Sequence, residues 1–228
     1  MKITVKKSVF KKFNSLKIAF ILVENIDNKS KLNESKHLLH DVEELIKLTF
    51  NKETIKNHDL ISPWKVAQEK FGSKAKHYHT AVEKLLKKVL SGKRIMERDV
   101  LTNLMNYVAL KHIVPFGVDD YSKINGNLTF ALSSGKEKVG ALRELKKGAL
   151  YYQDEKSILG MKLDFWKSKK TELDNKSKSA LIHFEVMLPV TQKKLNEIVK
   201  ETAQLVKTFC GGDVKIYFLN EKVNSVMV

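Results

Sequence analysis

Two groups of strand-like segments, with helical segments between and after them, constrain the fold of this chain most strongly. The first group is the β-rich run 17–26, KIAFILVENI, which suits a buried strand. The second extends from residue 127 to residue 188, where short apolar runs are separated by turn residues. The regular alternation of strand and crossover helix that a parallel sheet requires is missing. The pattern therefore predicts an α+β fold.

The helical segments are recognised by one apolar face each, and the strongest of them is 191–209. Thr191 opens this helix, and Gly211 and Gly212 end it before a last strand, VKIYFL. Further helices are predicted at 35–49, with Ser35 as the N-cap, and at 64–72, 73–90 and 101–112, with a short one at 139–145. A polar linker ends at Pro63. We therefore expect an N-terminal strand and helix elaboration at 1–63 and the main domain at 64–228, packed as one compact unit.

Charge is the strongest signal in the composition. The 228 residues contain 42 Lys plus Arg against 26 Asp plus Glu, which gives a net charge of +16. Such a field attracts polyanions, and nucleic acid is the obvious partner; a solvated lysine-rich surface is the alternative. No apolar run is long enough to span a membrane, and Cys210 is the only cysteine. We therefore predict a cytoplasmic protein with no membrane partner, and make no prediction of oligomeric state.

Two segments concentrate the positive charge. Residues 65–111 carry eleven Lys or Arg against four Asp or Glu, and residues 167–178 form a basic loop. The predicted nucleic-acid-binding side chains are Lys74, Lys76, Tyr78, Lys84, Lys87, Lys88, Lys93, Arg94, Arg98, Lys167, Lys169 and Lys170. The alternative is an amphipathic helix whose solvated face happens to be rich in lysine.

The segment 100–126 combines a helical apolar period with polar residues that a plain core would not choose. Asn103, Asn106, Tyr107 and His112 lie on the predicted helix, which Pro115 and Gly117 end. The next ten residues, VDDYSKINGN, are predicted to be a turn-rich connector. Polar groups at the end of a buried helix and in the loop beside it are typical of a binding pocket.

Other candidate chemistry is weaker. The P-loop, the dinucleotide-binding glycine fingerprint, the nucleophile elbow and the paired-histidine zinc helix are all missing. Two histidines near Asp41 more often lie solvated on a helix than bind a metal, so no metal and no cofactor are predicted. Cys210 at a helix C-terminus favours structural burial over a thiolate nucleophile. Glu185 within the strand IHFEV is a site candidate if it points inward and merely exposed if it points outward.

Three segments in series resemble the B3/B4 domain, the tRNA-binding and editing domain of the phenylalanyl-tRNA synthetase β subunit, which also occurs in free-standing proteins. They are LTNLMNYVALKHIVPFGVDDYSKINGNLTFAL, GALYYQDEKSILG and WKSKKTELDNKSKSALIHFEV, and the similarity covers most of residues 67–187. The tail FCGGDV resembles the free-standing members. The chain carries no signature of a synthetase catalytic core, so we expect that it is not a synthetase by itself.

The resemblance implies a β-sandwich of unusual topology flanked by helices, with a pocket that hydrolyses the ester of a mischarged aminoacyl-tRNA. Carried over position by position, the family's motif residues fall on Asn106, Tyr107, Val108, Pro115, Gly117, Asp120, Gly126 and Asp154, and free-standing members also resemble this chain at Trp166 and Thr171. Two departures stand out. Val118 replaces a second glycine, and Lys167 and Ser168 lie where the synthetase has the glycine-rich segment whose glutamate reads the tyrosine hydroxyl.

The resulting hypothesis is a free-standing deacylase for mischarged aminoacyl-tRNA. Asn106, His112, Asp120 and Thr171 are the predicted catalytic residues, where His112 either polarises a water or is a capped core histidine. The predicted substrate pocket adds Asn103, Tyr107, Pro115, Gly117, Gly126, Trp166 and Glu185. The lysine-rich surfaces would hold the tRNA. The alternatives are an RNA-binding module without catalysis and a binder of an amino-acid-sized ligand.

Overall fold

The computed structural model describes residues 1–53, 55, 58–61, 81–139, 143–161 and 166–228 of the chain. The strands in chain order are β1 (Lys2–Val5), β2 (Lys17–Glu24), β3 (Gly117–Asp120), β4 (Leu128–Leu132), β5 (Lys138–Val139), β6 (Arg143–Glu144), β7 (Leu150–Gln153), β8 (Ile158–Met161), β9 (Trp166–Lys167), β10 (Ser179–Val186), β11 (Asp213–Leu219) and β12 (Ser225–Met227). The α-helices are α1 (Lys7–Lys12), α2 (Leu32–Thr49), α3 (Ala81–Leu90), α4 (Val100–His112) and α5 (Gln192–Cys210).

Two mainly antiparallel sheets and several helices make up the fold, so the α+β prediction is confirmed. One sheet has four strands in the order β11-β2-β10-β3, and the other has six in the order β12-β1-β4-β7-β8-β9. Every pair in the four-stranded sheet is antiparallel, while β1 and β4 run parallel in the six-stranded sheet. Short β5 and β6 form a separate hairpin.

Strand β10 divides the apolar core into two layers because its side chains alternate between the two faces of the four-stranded sheet. Ala180, Ile182 and Phe184 face an outer core that they share with residues of α2, α3, α4 and α5. Leu181 faces an inner core that it shares with Phe20 of β2 and Phe130 of β4, between the two sheets. The protein is therefore a two-sheet sandwich with helices covering one outer face.

The N-terminal residues 1–63 contribute to both sheets. Strand β1 lies between β12 and β4, and β2 lies between β11 and β10. The segment is thus not an appendage to the rest of the chain. The predicted helix 64–72 and the first part of the predicted helix 73–90 lie outside the described residues, and the remainder of the second is α3.

Four local predictions differ from the structure. Residues 117–120 form β3 where a turn-rich connector was predicted, because Asp119 is buried and bound by distant side chains. The predicted helix 139–145 is replaced by β5 and β6 where it is described, and the run 158–166 contains the separate strands β8 and β9. Helix α2 begins at Leu32, and Ser35 donates its hydroxyl hydrogen to the Leu32 carbonyl instead of capping the helix.

Candidate functional site

Six polar side chains from five elements meet in the inner core, and we call them the inter-sheet polar cluster. Strand β10 supplies His183 and Glu185, which lie on the same face of the strand as Leu181. The other members are Asp119 of β3, Tyr152 of β7, Lys167 of β9 and Thr171 of the 3-10 helix Lys169–Thr171. Asp119 and Thr171 are 0% exposed, His183 is 1% exposed and Glu185 is 2% exposed. The cluster is therefore closed to bulk solvent in this conformation.

Asp119 is the most strongly bound of these groups. Its carboxylate accepts hydrogen bonds from the Tyr152 hydroxyl at 3.1 Å and from the Thr171 hydroxyl, and Lys167 Nζ lies 3.3 Å from Oδ1. Burial raises the pKa of Asp119, but the Lys167 charge, His183 and the Thr171 hydroxyl together outweigh it and lower the pKa to about 2. Asp119 is thus a buried carboxylate that stays ionised at neutral pH.

His183 is held between two carboxylates. Its Nδ1 lies 2.6 Å from Glu185 Oε1, and its Nε2 lies 3.7 Å from Asp119 Oδ2. The Tyr152 ring contacts the imidazole edge to face, with ring centroids 4.9 Å apart. The Glu185 carboxylate fixes the orientation of the imidazole, and a histidine that acts as a general base requires such a partner.

Two buried atoms of the cluster lack a hydrogen bond among the described residues. They are Glu185 Oε2 and Lys167 Nζ, although the latter is ion-paired with Asp119. Placing charged groups in a protein interior costs on the order of several kcal/mol per ion, and only pairing and hydrogen bonds offset that cost. A charged cluster of this kind inside an otherwise apolar core is therefore a functional-site candidate. Its groups could bind an ammonium, a carbonyl oxygen or a water.

Three residues of the predicted substrate pocket and catalytic set belong to this site. Thr171 and Glu185 are members of the cluster, and Gly117 lies opposite His183 in the β3–β10 pairing. The inward orientation of Glu185, which was one of two alternatives, is the one observed, and His183 is its partner. Lys167 was predicted to contact nucleic acid, but its ammonium points into the cluster.

The predicted residues of α4 lie on the other side of the four-stranded sheet. His112 Nε2 is 3.0 Å from Glu201 Oε2 on α5, and burial lowers the pKa of His112 although Glu201 opposes that shift. Asn103 accepts from the Arg98 backbone N–H and donates to Ser35 Oγ. Asn106 is buried on the same helix, and the half-buried Tyr107 packs at the edge of the outer core. The structure therefore does not bring these residues together with Thr171.

The remaining predicted site residues have local structural contacts. Asp120 accepts from Ser122 and Ser177 and pairs with Lys123, which fixes the start of the 3-10 helix Tyr121–Lys123. Gly126 has a φ of +69°, and a Cβ there would lie 2.3 Å from the Glu155 carboxylate. Pro115 is buried, Asp154 accepts from the backbone N–H groups of Asn125, Lys156 and Ser157, and Trp166 packs beside Met161.

The predicted nucleic-acid-binding residues fall into three groups. Lys74, Lys76 and Tyr78 lie outside the described residues. Lys87 pairs with Glu83, Arg94 with Glu43 and Glu44, and Arg98 with Glu172. Four of the predicted side chains are exposed or half-exposed and form no ion pair with a described residue: Lys88, Lys93, Lys169 and Lys170. Lys84 is also exposed, but it does form an interaction with another residue. The basic surface available to RNA is thus smaller than the charge count indicated.

An open cavity of about 390 Å³ lies away from the polar cluster, where the C-terminal ends of α2 and α3 meet. Lys47, Phe50, Asn51, Lys52, Val89, Leu90 and Gly92 line it. We give the polar cluster more weight as a reaction site, because the cavity brings together none of the acid, base and hydroxyl groups found there.

Asp119, Tyr152 and His183 were not predicted as site residues. Side chains alternate between the two faces of a strand, so the segment SALIHFEV places His183 and Glu185 on the same face. An inward orientation of Glu185 therefore predicts that His183 also points inward. Nothing in the local sequence connects Asp119 with Tyr152 or Thr171. Among the described residues, no group of three or more His, Cys, Asp or Glu side chains is placed to hold a metal ion. In the same part of the chain, every helix is too short or too polar to cross a bilayer.

Comparison with known proteins gives a family match. The sequence model of the B3/4 domain matches residues 64–211, well over half of the chain. Comparison with curated protein sequences gives no match. Among solved structures, the chain is similar to the crystal structure of an N-terminal fragment of the phenylalanyl-tRNA synthetase beta-subunit from Pyrococcus horikoshii, with a TM-score of 0.44 and 12% identity over 93% of this chain. It spans about half of that fragment, 49% of its length. On the family match, the chain belongs to the B3/4 domain family.

Proposed function

We propose that this B3/4 domain binds the acceptor end of tRNA and hydrolyses the ester of mischarged aminoacyl-tRNA, acting on tRNA charged by another enzyme. Membership of the B3/4 domain family supports the proposal, together with the resemblance of the sequence to the tRNA-binding and editing domain of phenylalanyl-tRNA synthetase. The inter-sheet polar cluster is the candidate reaction site. It replaces the pocket predicted from Asn106, His112, Asp120 and Thr171, of which only Thr171 is a member.

The cluster contains the groups that this reaction needs. An aminoacyl ester is already activated, so a site must mainly orient a water and stabilise the oxyanion that develops on the carbonyl. In the proposed reaction, Glu185 orients His183, and His183 takes a proton from the water. The water oxygen attacks the carbonyl carbon at the same time. The Thr171 hydroxyl and the Lys167 ammonium stabilise the oxyanion. The bond between the carbonyl carbon and the ribose oxygen then breaks, and His183 gives the proton that it took from the water to the departing ribose oxygen, so that the tRNA leaves with a free hydroxyl and the amino acid with a carboxylate end.

A second function has one observation in its favour. Because Asp119, Thr171, His183 and Glu185 are almost fully buried, a substrate reaches them only if the sheets or the adjoining loops move apart. A protein that binds tRNA without hydrolysing it would need no such movement. In that case the cluster would be a structural ion network, of the kind that also perturbs the pKa of buried groups.

Incubation with a panel of mischarged tRNAs distinguishes the two functions. We expect the wild type to release the amino acid from at least one tRNA faster than the no-protein control does. His183→Asn should reduce this rate by roughly 100-fold or more, as expected for the loss of a general base. His112→Asn is a matched control, since it removes another histidine that is paired with a carboxylate and largely shielded from solvent. Glu185→Gln, which keeps the size of the side chain, serves if His183→Asn does not fold.

The outcomes separate as follows. Release by the wild type no faster than the control across the panel, together with binding of uncharged tRNA, would support the non-catalytic function. Equal loss of activity in His183→Asn and His112→Asn would contradict the assignment of the reaction site to the polar cluster.

A further inference from the structure

The first 23 residues of the chain carry six lysines and no acidic residue. This segment comprises β1, α1 and most of β2, and it lies outside the residues 64–211 that match the family. None of its lysines was among the side chains predicted to bind nucleic acid. The segment therefore adds a concentrated positive charge to the domain, separate from the basic segments described above.

Helix α1 directs Lys7 and Lys11 away from the protein. Val9 and Phe10 are buried, and the backbone N–H of Lys6 donates to the Phe130 carbonyl of β4 at 2.9 Å, which anchors the start of the helix. Lys7 and Lys11 are both exposed and lie four positions apart, so they project from the same side of the helix. The buried residues thus fix the direction in which the charged face points.

A second basic element is attached to α1. Lys146 and Lys147 are exposed in the turn that precedes β7, and the carbonyl of Gly148 in the same turn accepts from Lys12 Nζ at 3.1 Å. Gly148 has a φ of +80°, and a Cβ on it would lie 2.6 Å from Lys12 Nζ. The positive φ favours glycine at this position, and the hydrogen bond from Lys12 places the turn beside the helix. Lys6, Lys7, Lys11, Lys146 and Lys147 together are called the N-terminal lysine surface.

The positive charge of this surface is not paired with an acidic side chain in the described part of the chain. None of its five lysines forms an ion pair with another described residue. The acid nearest in sequence to the turn is Glu144, which is exposed and forms no ion pair with a described residue, and Glu137 is bound by the hydroxyl groups of Ser133 and Ser134. An external polyanion is the partner that such a surface can bind.

The composition of the surface favours the phosphates of RNA over a membrane. A helix that lies in a bilayer interface inserts an exposed apolar face. The apolar side chains of α1 are buried, and none of the exposed large hydrophobic residues of the described chain lies in residues 1–17 or 133–149. Lysine side chains without such a face suit contacts to a phosphate backbone, which are independent of base sequence.

We propose that the N-terminal lysine surface is a second tRNA-binding surface, which contacts the sugar-phosphate backbone outside the acceptor end. This inference rests on the proposed tRNA binding and extends it to a part of the chain that the family match does not cover. The contacts would hold the body of the tRNA without reading its sequence, so the surface would contribute affinity and not selectivity.

The test measures binding of uncharged tRNA as a function of salt. In the variant carrying Lys7→Gln, Lys11→Gln and Lys147→Gln, we expect roughly tenfold weaker binding near physiological salt and a fall of about 2 to 3 in the slope of log affinity against log salt. The control carries Lys193→Gln, Lys200→Gln and Lys207→Gln on α5, which are exposed and change the net charge equally. It should bind within about twofold of the wild type.

Three outcomes would overturn the inference. One is unchanged tRNA binding by the first variant, and another is an equal loss in both variants, which would show that only net charge matters. The third is a loss of binding to phosphatidylserine vesicles with unchanged tRNA binding, which would assign the surface to a membrane. Ester hydrolysis at saturating protein should be unaffected by the first variant. A wild type that binds tRNA but hydrolyses no ester would therefore contradict only the catalytic proposal.

Discussion

A Cβ atom on Gly117 would lie 2.0 Å from Cε1 of His183. The two residues are paired across β3 and β10, and the imidazole covers the glycine directly. Glu185 holds the ring in that position through Nδ1. The absence of a side chain at Gly117 is therefore what allows His183 to lie between its two carboxylates.

Gly117→Ala should consequently destabilise the protein. The added methyl group overlaps a ring that cannot move without breaking its bond to Glu185, and overpacking of this kind costs about 1 to 3 kcal/mol. Urea unfolding measures the change in the free energy of unfolding. Gly92→Ala is the comparison, because its Cβ would meet nothing within 4 Å and only its φ of +76° is unfavourable. A Gly117→Ala protein as stable as the wild type would show that the ring has room to move.

Asp119 should make the stability dependent on pH in acid. Its pKa is about 2 in the folded protein, below the ordinary aspartate value of 3.8, so the folded state favours the ionised form. The resulting stabilisation is complete above pH 4 and is lost as the pH falls towards 2, and its size is about 2 kcal/mol. Asp119→Asn should lower the stability at pH 7 and flatten this part of the curve. Urea unfolding at several pH values tests this, and parallel curves for the two proteins would contradict it.

Arginines and lysines of the basic segment should respond differently to substitution. Glu43 is buried and accepts from the Arg94 guanidinium at 2.9 Å and from the Ile95 backbone N–H at 2.6 Å. Arg94→Ala leaves that buried carboxylate with one partner fewer, so we expect a larger loss in the free energy of unfolding than for either lysine variant. Lys88→Ala and Lys93→Ala should leave the stability within about 0.5 kcal/mol.

The same variants separate folding from RNA binding. If Lys88 and Lys93 contact phosphates, the double lysine variant should lower the salt slope of tRNA binding by about 2. An unchanged slope would exclude both lysines from the RNA interface. A fall of about 1 in the salt slope of Arg94→Ala would show that Arg94 contacts RNA in addition to Glu43.

Cys210 should react slowly with thiol reagents in the folded protein. Burial raises the pKa of its thiol to about 12, and nearby acids add to the shift, so little thiolate is present at pH 8. Alkylation followed by mass spectrometry should show a large increase in rate when urea is added. Equal rates in the folded and unfolded protein would contradict the buried position.

Much of the fold was predictable because the relevant signals are local. The apolar period of 191–209, the cap at Thr191 and the glycines after Cys210 predict α5, and the alternation in SALIHFEV predicts β10. Strand β3 was not predictable in this way. Asp119 and Asp120 are typical turn residues, and only Asp120 acts as one.

The site was less predictable because its bonds are long range. Asp119 is bound by Tyr152 and Thr171, which lie 33 and 52 residues further along the chain. No spacing in the sequence encodes such contacts. His112 and Asn106 were predicted to be catalytic because they are polar residues on an apolar helix. That helix, however, lies on the opposite side of the four-stranded sheet from His183. Which face of a sheet a helix covers is a tertiary property that periodicity alone does not determine.

The interior position of β2 bears on how the chain reaches its native state. Residues 17–24 are flanked by β10 and by β11, so the four-stranded sheet closes only when residue 219 is available to pair with residue 18. During synthesis, β2 therefore has both of its neighbouring strands only after residue 219 has emerged from the ribosome. Pairings between such distant segments are slow to form, so the apolar side chains of β2 stay exposed to solvent until both neighbouring strands have paired with it.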